Sequence, residues 1–182
     1  MNLAVLPLGD PRLRRLSVPV AVPLDSRFQA ENLRLKHALE AFRAERGFGR
    51  GIAAPQLGIP RRFIAINLGS GTRSLINPVI TWSSPETFTL WDDCMCFPDL
   101  LVKVRRQASI SITYLDEQGT AAVWENLGRA EAELLQHEID HLDGILAVDR
   151  ALDPASIITR AAFDADPGFF NQQVDYAIQP TI

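Results

Sequence analysis

Histidine and cysteine are scarce in this chain: of 182 residues, three are histidine and two are cysteine. The cysteines, Cys94 and Cys96, are two positions apart, a poor spacing for a structural disulfide and one better explained by a reducing compartment, a metal or chance. Basic clusters are limited to pairs such as Arg14-Arg15, Arg61-Arg62 and Arg105-Arg106 within a net charge of -4, so the electrostatic footprint of a nucleic-acid binder is missing. No apolar run reaches the length of a membrane span, and no basic segment precedes the brief apolar stretch in MNLAVLPLGDPRLRR. A soluble cytoplasmic protein with no membrane association is expected. Repeats, linkers and low-complexity tracts are also lacking. With 47% hydrophobic and 22% charged residues, what is present suffices for one globular domain over residues 1–182 with a real core.

Beyond an N-terminal arm rich in Pro and Leu, Asp25 is a candidate helix N-cap. Phe28, Leu35, Leu39 and Phe42 follow at helical spacing, and Gly47 is the stop. The Gly-rich turn GFGRGIAAPQLGIP comes next, then six β-like runs: RFIAINL, RSLINPVITW, ETFTLW, LLVKV, ASISITYLD and TAAVWENL. They give way after Asn126-Leu127 to a second amphipathic helix, GRAEAELLQHEIDHLDG, ended by Gly144. From Arg150 onward the expectation is one short helix from about Pro154 to Ala162, with a break at Pro167-Gly168. The pattern is α+β: small antiparallel or mixed sheets around a central His-Glu-x-x-His helix, with another long helix near the N-terminus.

The stretch LLQHEIDHLDGIL places His137 and His141 one helical turn apart, so their imidazoles can aim at one point. Glu138 projects onto a neighbouring face, where it can reach a water at the metal without binding the metal itself, as a general base must. Two ligands do not hold an ion, so a third is needed. The H-E-x-x-H-x-x-G-x-x-H protease pattern fails at its last ligand, which is Ala147 here, and no glutamate follows Glu138. Asp149 and Asp153 remain formal candidates, while His37 sits on the first helix, where a surface role is the simpler account. Cys94 in LWDDCMCFPDL gives a plausible set of one thiolate and two imidazoles with a position left for water. A closed structural site using Cys96 as well competes with it, but Glu138 has no purpose there.

Three motifs now resemble one family. GRGIAAPQ, residues 49–56, is similar to the G-x-G-x-A-A-P-Q motif of peptide deformylases; DDCMC, residues 92–96, resembles their E-G-C-L-S; and QHEIDH resembles their Q-H-E-x-D-H. The order and spacing fit, LGDPRLRR is family-like, and the likeness covers roughly residues 3–150. It implies a hydrolase that removes the N-formyl group from the initiator methionine of a nascent polypeptide and releases formate. It implies Cys94, His137 and His141 as metal ligands, with Fe2+ as the usual ion and Zn2+ or Ni2+ as substitutes, and Glu138 as the base. The side-chain amide of Gln56 and the backbone N–H of Met95 would meet the developing oxyanion. The partner implied is an N-formylmethionyl peptide, with the ribosome exit region as a further candidate.

Gly49 and Gly51 would let an extended substrate approach closely. Gln136 and Asp140 are expected to support the site, and Asp92 to be held by Arg105 or Arg106 so as to orient the Cys94 loop. The departures leave the catalytic set intact: in the substrate-binding set Asp93 replaces a glycine, Arg50 stands in a usually apolar place and Glu133 puts a charge near the expected methionine pocket, and in the cysteine motif Cys96 replaces a serine. A related metalloamidase for another N-acyl substrate and a noncatalytic metal-stabilised binding module are the alternatives.

Overall fold

The computed structural model describes residues 4–178. Helix α1 spans Ser26–Arg46; the Asp25 carboxylate caps it by accepting from the Phe28 N–H, and Gly47 ends it in the left-handed conformation at φ 73°. Its apolar stripe, Phe28, Leu35 and Leu39, is fully buried, and His37 is exposed, as the sequence predicts. The Phe28 ring meets Phe63 edge-on at 5.2 Å, a contact that contributes about 1 kcal/mol beyond its area.

Strands β1 (Gly51–Ala53), β2 (Phe63–Asn67), β3 (Thr72–Ser83), β4 (Thr87–Asp93), β5 (Leu100–Gln107), β6 (Ile110–Leu115) and β7 (Ala121–Leu127) follow. They separate into two antiparallel sheets. One runs β1-β2-β3-β6-β7, and the other runs β4-β5-β8, where β8 is Ile157–Thr159. Helix α2, Arg129–Leu142, lies against both sheets, and ten of its 14 residues are buried, which makes it the centre of the molecule rather than a surface helix. Ile139, Leu135 and Leu142 pack on Ile64, Ile66 and Ile112 of the larger sheet. Cys94, Phe88, Val102 and Leu146 form a separate cluster beneath the smaller one.

The N-terminal arm braces what becomes the site. Leu6 N–H donates to Gln56 O at 2.8 Å, Leu8 N–H to Cys96 O at 2.9 Å, and Ser17 N–H to Leu142 O at 2.8 Å. A close backbone approach sets its path: a Cβ on Gly144 would lie 2.6 Å from Arg14 O.

The C-terminal part departs from expectation. Instead of one helix over 154–162 there is a 3-10 turn at Pro154–Ser156, then β8, then α3 at Arg160–Ala165 and α4 at Pro167–Asn171. The β-branched run Ile157-Ile158-Thr159 extends because Leu100, Leu101 and Val102 offer it an open strand edge. Pro167 opens a helix rather than breaking one, since the lost N–H is not needed in a first turn and Asp166 caps the turn by accepting from the Phe169 N–H. This segment is tied down: the Trp91 Nε1–H donates to Phe170 O at 2.9 Å, and the Asp175 carboxylate accepts from the Thr89 N–H at 2.9 Å.

Candidate metal and catalytic site

A cavity of about 310 Å³ opens where β1, the end of β4, α2 and the C-terminal segment meet. Its wall includes Gln56, Cys94, Met95, His137 and Glu138. Three separate stretches of sequence supply these groups. The turn that follows β1 carries Gln56, whose Oε1 accepts from the Ala53 N–H at 2.7 Å; the carboxamide is thereby oriented with its Nε2 toward two sulfurs, 3.8 Å from Cys94 Sγ and 3.5 Å from Cys96 Sγ. The turn after β4 carries both cysteines and is closed by Phe97 N–H donating to Cys94 O at 3.1 Å. Helix α2 carries the histidines and Glu138.

Among the described residues, the ligand atoms that come within 4.8 Å of one another belong to Cys94, Cys96 and His141, with Cys94 Sγ 3.3 Å from His141 Nε2. His137 borders the same cavity, its ring centroid 4.9 Å from that of His141, and its Nδ1 faces Asp92 Oδ2 at 3.0 Å. The Cys94, His137 and His141 positions expected from sequence are thus neighbours, and Cys96 is drawn in with them. The sequence drew Cys96 in by the alternation of an extended stretch, but it is the turn after β4 that brings the two sulfurs together.

The electrostatics suit a cation. Burial pushes the Cys94 thiol well above its ordinary value, because a bare thiolate in this interior has no water to solvate it. An ion is the partner that lets it ionise. Two buried polar atoms, Glu138 Oε2 and His141 Nδ1, have no hydrogen-bond partner among the described residues, in a region where such groups are normally satisfied. The sulfur, imidazole and carboxylate set therefore fits a late first-row divalent metal with room for a water at Glu138.

Behind these groups stands a buried charge network. Arg106 Nη2 donates to Asp92 Oδ2 at 3.1 Å and Nη1 to Asp140 Oδ2 at 2.5 Å, while Arg150 bonds both Asp140 oxygens at 2.6 Å. Arg106 is thus the holder of Asp92, whereas Arg105 is exposed on β5. Burial works to raise Asp92, but His137 and Arg106 outweigh it and hold the carboxyl at about 2. Burial works to lower His137, and the Asp92 charge and hydrogen bond outweigh that and leave it at about 9. Glu138 moves the other way: desolvation raises it to about 7 against the pull of His137. Gln136 turns from the cavity and bonds the β5 backbone, accepting from Gln107 N–H and donating to Gln107 O, both at 3.0 Å.

The remaining sequence-derived positions also line the cavity. Gly49 takes φ 108°, and a Cβ there would sit 2.6 Å from Met95 Cε; a Cβ on Gly51 would sit 2.7 Å from Glu138 Oε1. Asp93 is ion-paired with Arg160 at 3.0 Å, and Arg50 is paired with Glu133. Sequence reasoning did not name Arg160, Phe163, Tyr176 or Ile178, which come from the C-terminal segment to close one side of the cavity.

Residues 2–156 match the family model for polypeptide deformylase. The chain belongs to that family. Among curated relatives, the peptide deformylase of Thermotoga maritima is 37% identical over 149 residues, 81% of this chain and 85% of that protein. The Thermotoga neapolitana peptide deformylase is 34% identical over 152 residues, 84% of this chain and 88% of that one. The crystal structure of the T. maritima enzyme superposes with a TM-score of 0.74 at 33% identity, covering 82% of this chain and 97% of its own. A Legionella pneumophila peptide deformylase structure gives 0.71 at 29% identity and covers 93% of this chain and 95% of its own.

Proposed function

We propose that this deformylase is a metal-dependent hydrolase that removes the N-formyl group from the N-terminal methionine of nascent polypeptides and releases formate. The observation that carries the reading is Glu138: a buried carboxylate with one oxygen unpartnered, set between Gly51 and a thiol-imidazole cluster at the wall of a cavity.

Cys94, His137 and His141 are the proposed ligands of one divalent ion, Fe2+ by family likeness, with Zn2+ or Ni2+ as alternatives suited to the same donors. When bound, that ion lowers the pKa of water and polarises the formyl carbonyl. Asp92, by facing Nδ1 of His137, fixes its tautomer and leaves Nε2 for the site. Glu138 Oε2 takes a proton from the attacking water as the oxygen bonds to the formyl carbon. The carbonyl oxygen gains the negative charge and is met by Gln56 Nε2 and the Met95 N–H. Glu138 then passes the proton to the departing nitrogen, the C–N bond breaks, and the formic acid released gives its remaining proton to the amine or to water, leaving formate. Gly49 and Gly51 leave room for the extended peptide, and Arg50, Asp93 and Glu133 border its path.

The whole of residues 1–182 is taken as one domain, because the C-terminal segment is anchored on β4 and borders the cavity. A cytoplasmic setting, with the nascent chain met at the ribosome exit region, agrees with the substrate; among the described residues no helix is long and apolar enough to cross a membrane.

A formate assay with a formyl-Met peptide and anaerobically prepared Fe2+ protein tests the activity. Glu138→Ala should lower kcat by about 10²–10⁴-fold with metal content unchanged; equal rates in the two proteins overturn the assignment of the base. The closeness of Cys96 favours a second reading of the metal shell, in which its thiolate is a further ligand. Co2+ substitution separates the two, since Cys96→Ser then weakens the sulfur-to-metal absorption, whereas with Cys94 as sole thiolate the band stays.

A further inference from the structure

Gly51 presses on the proposed base, and the residues that flank this contact are charged. Arg50 precedes Gly51, and Glu133 lies one turn ahead of His137 on α2; both line the cavity. They bond to each other, and Arg50 Nη1 also donates to Ala130 O at 3.0 Å. Their side chains are only 10% and 2% exposed. Tyr176 lies near both charges, and Trp91 and Leu134 line the same cavity. In an N-acyl peptide the first Cβ is three bonds from the carbonyl carbon under attack, about 4 Å away. With that carbon at Glu138, the first side chain has to run beside the groups that flank Glu138.

Such a wall is not neutral toward what it meets. A guanidinium has five N–H donors and a carboxylate about four acceptor sites, more than the pair and one backbone carbonyl consume. A hydrocarbon side chain laid on it removes water and returns no hydrogen bond, whereas an amide or hydroxyl returns one. A charged side chain repels one member of the pair and competes for the other. Trp91 and Leu134 still offer apolar and sulfur contacts.

We propose that the Arg50–Glu133 pair is the specificity element of this cavity, and that it extends the substrate class to N-formyl peptides whose first side chain is polar, uncharged and of methionine's length, as in glutamine. This rests on the deformylase reading above. It also makes norleucine, which is methionine with its sulfur replaced by a methylene, a poorer substrate than its shape alone implies.

The test compares formyl-X-Ala-Ser peptides, X being methionine, norleucine or glutamine, on the full-length Fe2+ protein. We expect kcat/KM for glutamine within about tenfold of that for norleucine, and a shift of the ratio toward norleucine by about tenfold or more in the double variant Arg50→Leu/Glu133→Leu. Both charges are removed together because deleting one leaves the other buried and unpaired. A wild-type preference for norleucine above about a hundredfold, or an unchanged ratio in the double variant, overturns the proposal. Should the double variant not fold, Glu133→Gln leaves Arg50 facing the cavity, and a formyl-Glu peptide should gain about tenfold relative to formyl-Gln; no gain overturns the proposal equally. Calorimetric binding of the unformylated Gln-Ala-Ser and norleucine-Ala-Ser peptides separates the two levels. Comparable binding without formate release from any peptide sinks the deformylase reading and keeps the pocket; no binding by either peptide sinks the pocket.

Discussion

Glu138 and Glu40 show how the same side chain is put to opposite uses by its surroundings. Glu138 has lost water and gained no full set of hydrogen bonds, so its proton is held up to about pH 7. Glu40, near the end of α1, is bonded by the Thr72 hydroxyl and by Asn67 Nδ2 at 2.8 Å, and these bonds lower its pKa from 4.5. A carboxyl whose folded pKa is depressed stabilises the fold above its unfolded value and loses that contribution as pH falls through the folded one. Glu40→Gln should therefore flatten the acid limb of the stability curve, with the gap between wild type and variant beginning to narrow as pH falls below 4.5 and closing at the lowered folded pKa. Urea titrations at pH 7, 5 and 3.5 check this, and a constant gap across that range counts against it. The legibility of residues in the sequence divides along similar lines. Cys94, Gln56, Glu138 and both histidines could be named because each belongs to a short local pattern. The pairings Arg50 with Glu133 and Asp93 with Arg160 could not, since their members are 83 and 67 positions apart.

At the scale of elements, those with local stop signals were the readable ones. Helix α1 begins at Asp25 and ends at Gly47 as the capping residues dictate. Strand β1 escaped notice because its three residues are extended only by pairing with β2, Gly51 opposite Ile66, and β8 escaped because its partner β5 lies far back in the chain. Gly144, past the end of α2, combines both kinds of constraint: φ is 74°, and the Arg14 carbonyl occupies the place of a side chain. Gly144→Ala should cost about 1–3 kcal/mol from the backbone conformation alone. The contact with Arg14 adds to that by pushing the N-terminal arm off the helix end. Denaturant unfolding measures the loss, and a variant as stable as wild type would contradict the close approach.

For the molecule as a whole, the notable feature is that the cavity is braced from behind by protein alone. Arg106 on β5 spans Asp92 at the end of β4 and Asp140 on α2, and the N-terminal arm bonds the Gln56 and Cys96 carbonyls. Stripping the ion with a chelator should lower the unfolding midpoint, by about 4 kcal/mol of stability if free metal had stood at a thousand times Kd. Far-UV circular dichroism at 25 °C should stay unchanged; collapse of the spectrum would show that the ion, not this bracing, holds the strands and helix together. Zinc fingers take the other course and have no fold until loaded. Here the guanidinium of Arg106 acts as a rivet between sheet and helix, which is why the receptacle is expected to outlast the loss of its cargo. A fold that survives the chelator would let one divalent ion be exchanged for another without refolding.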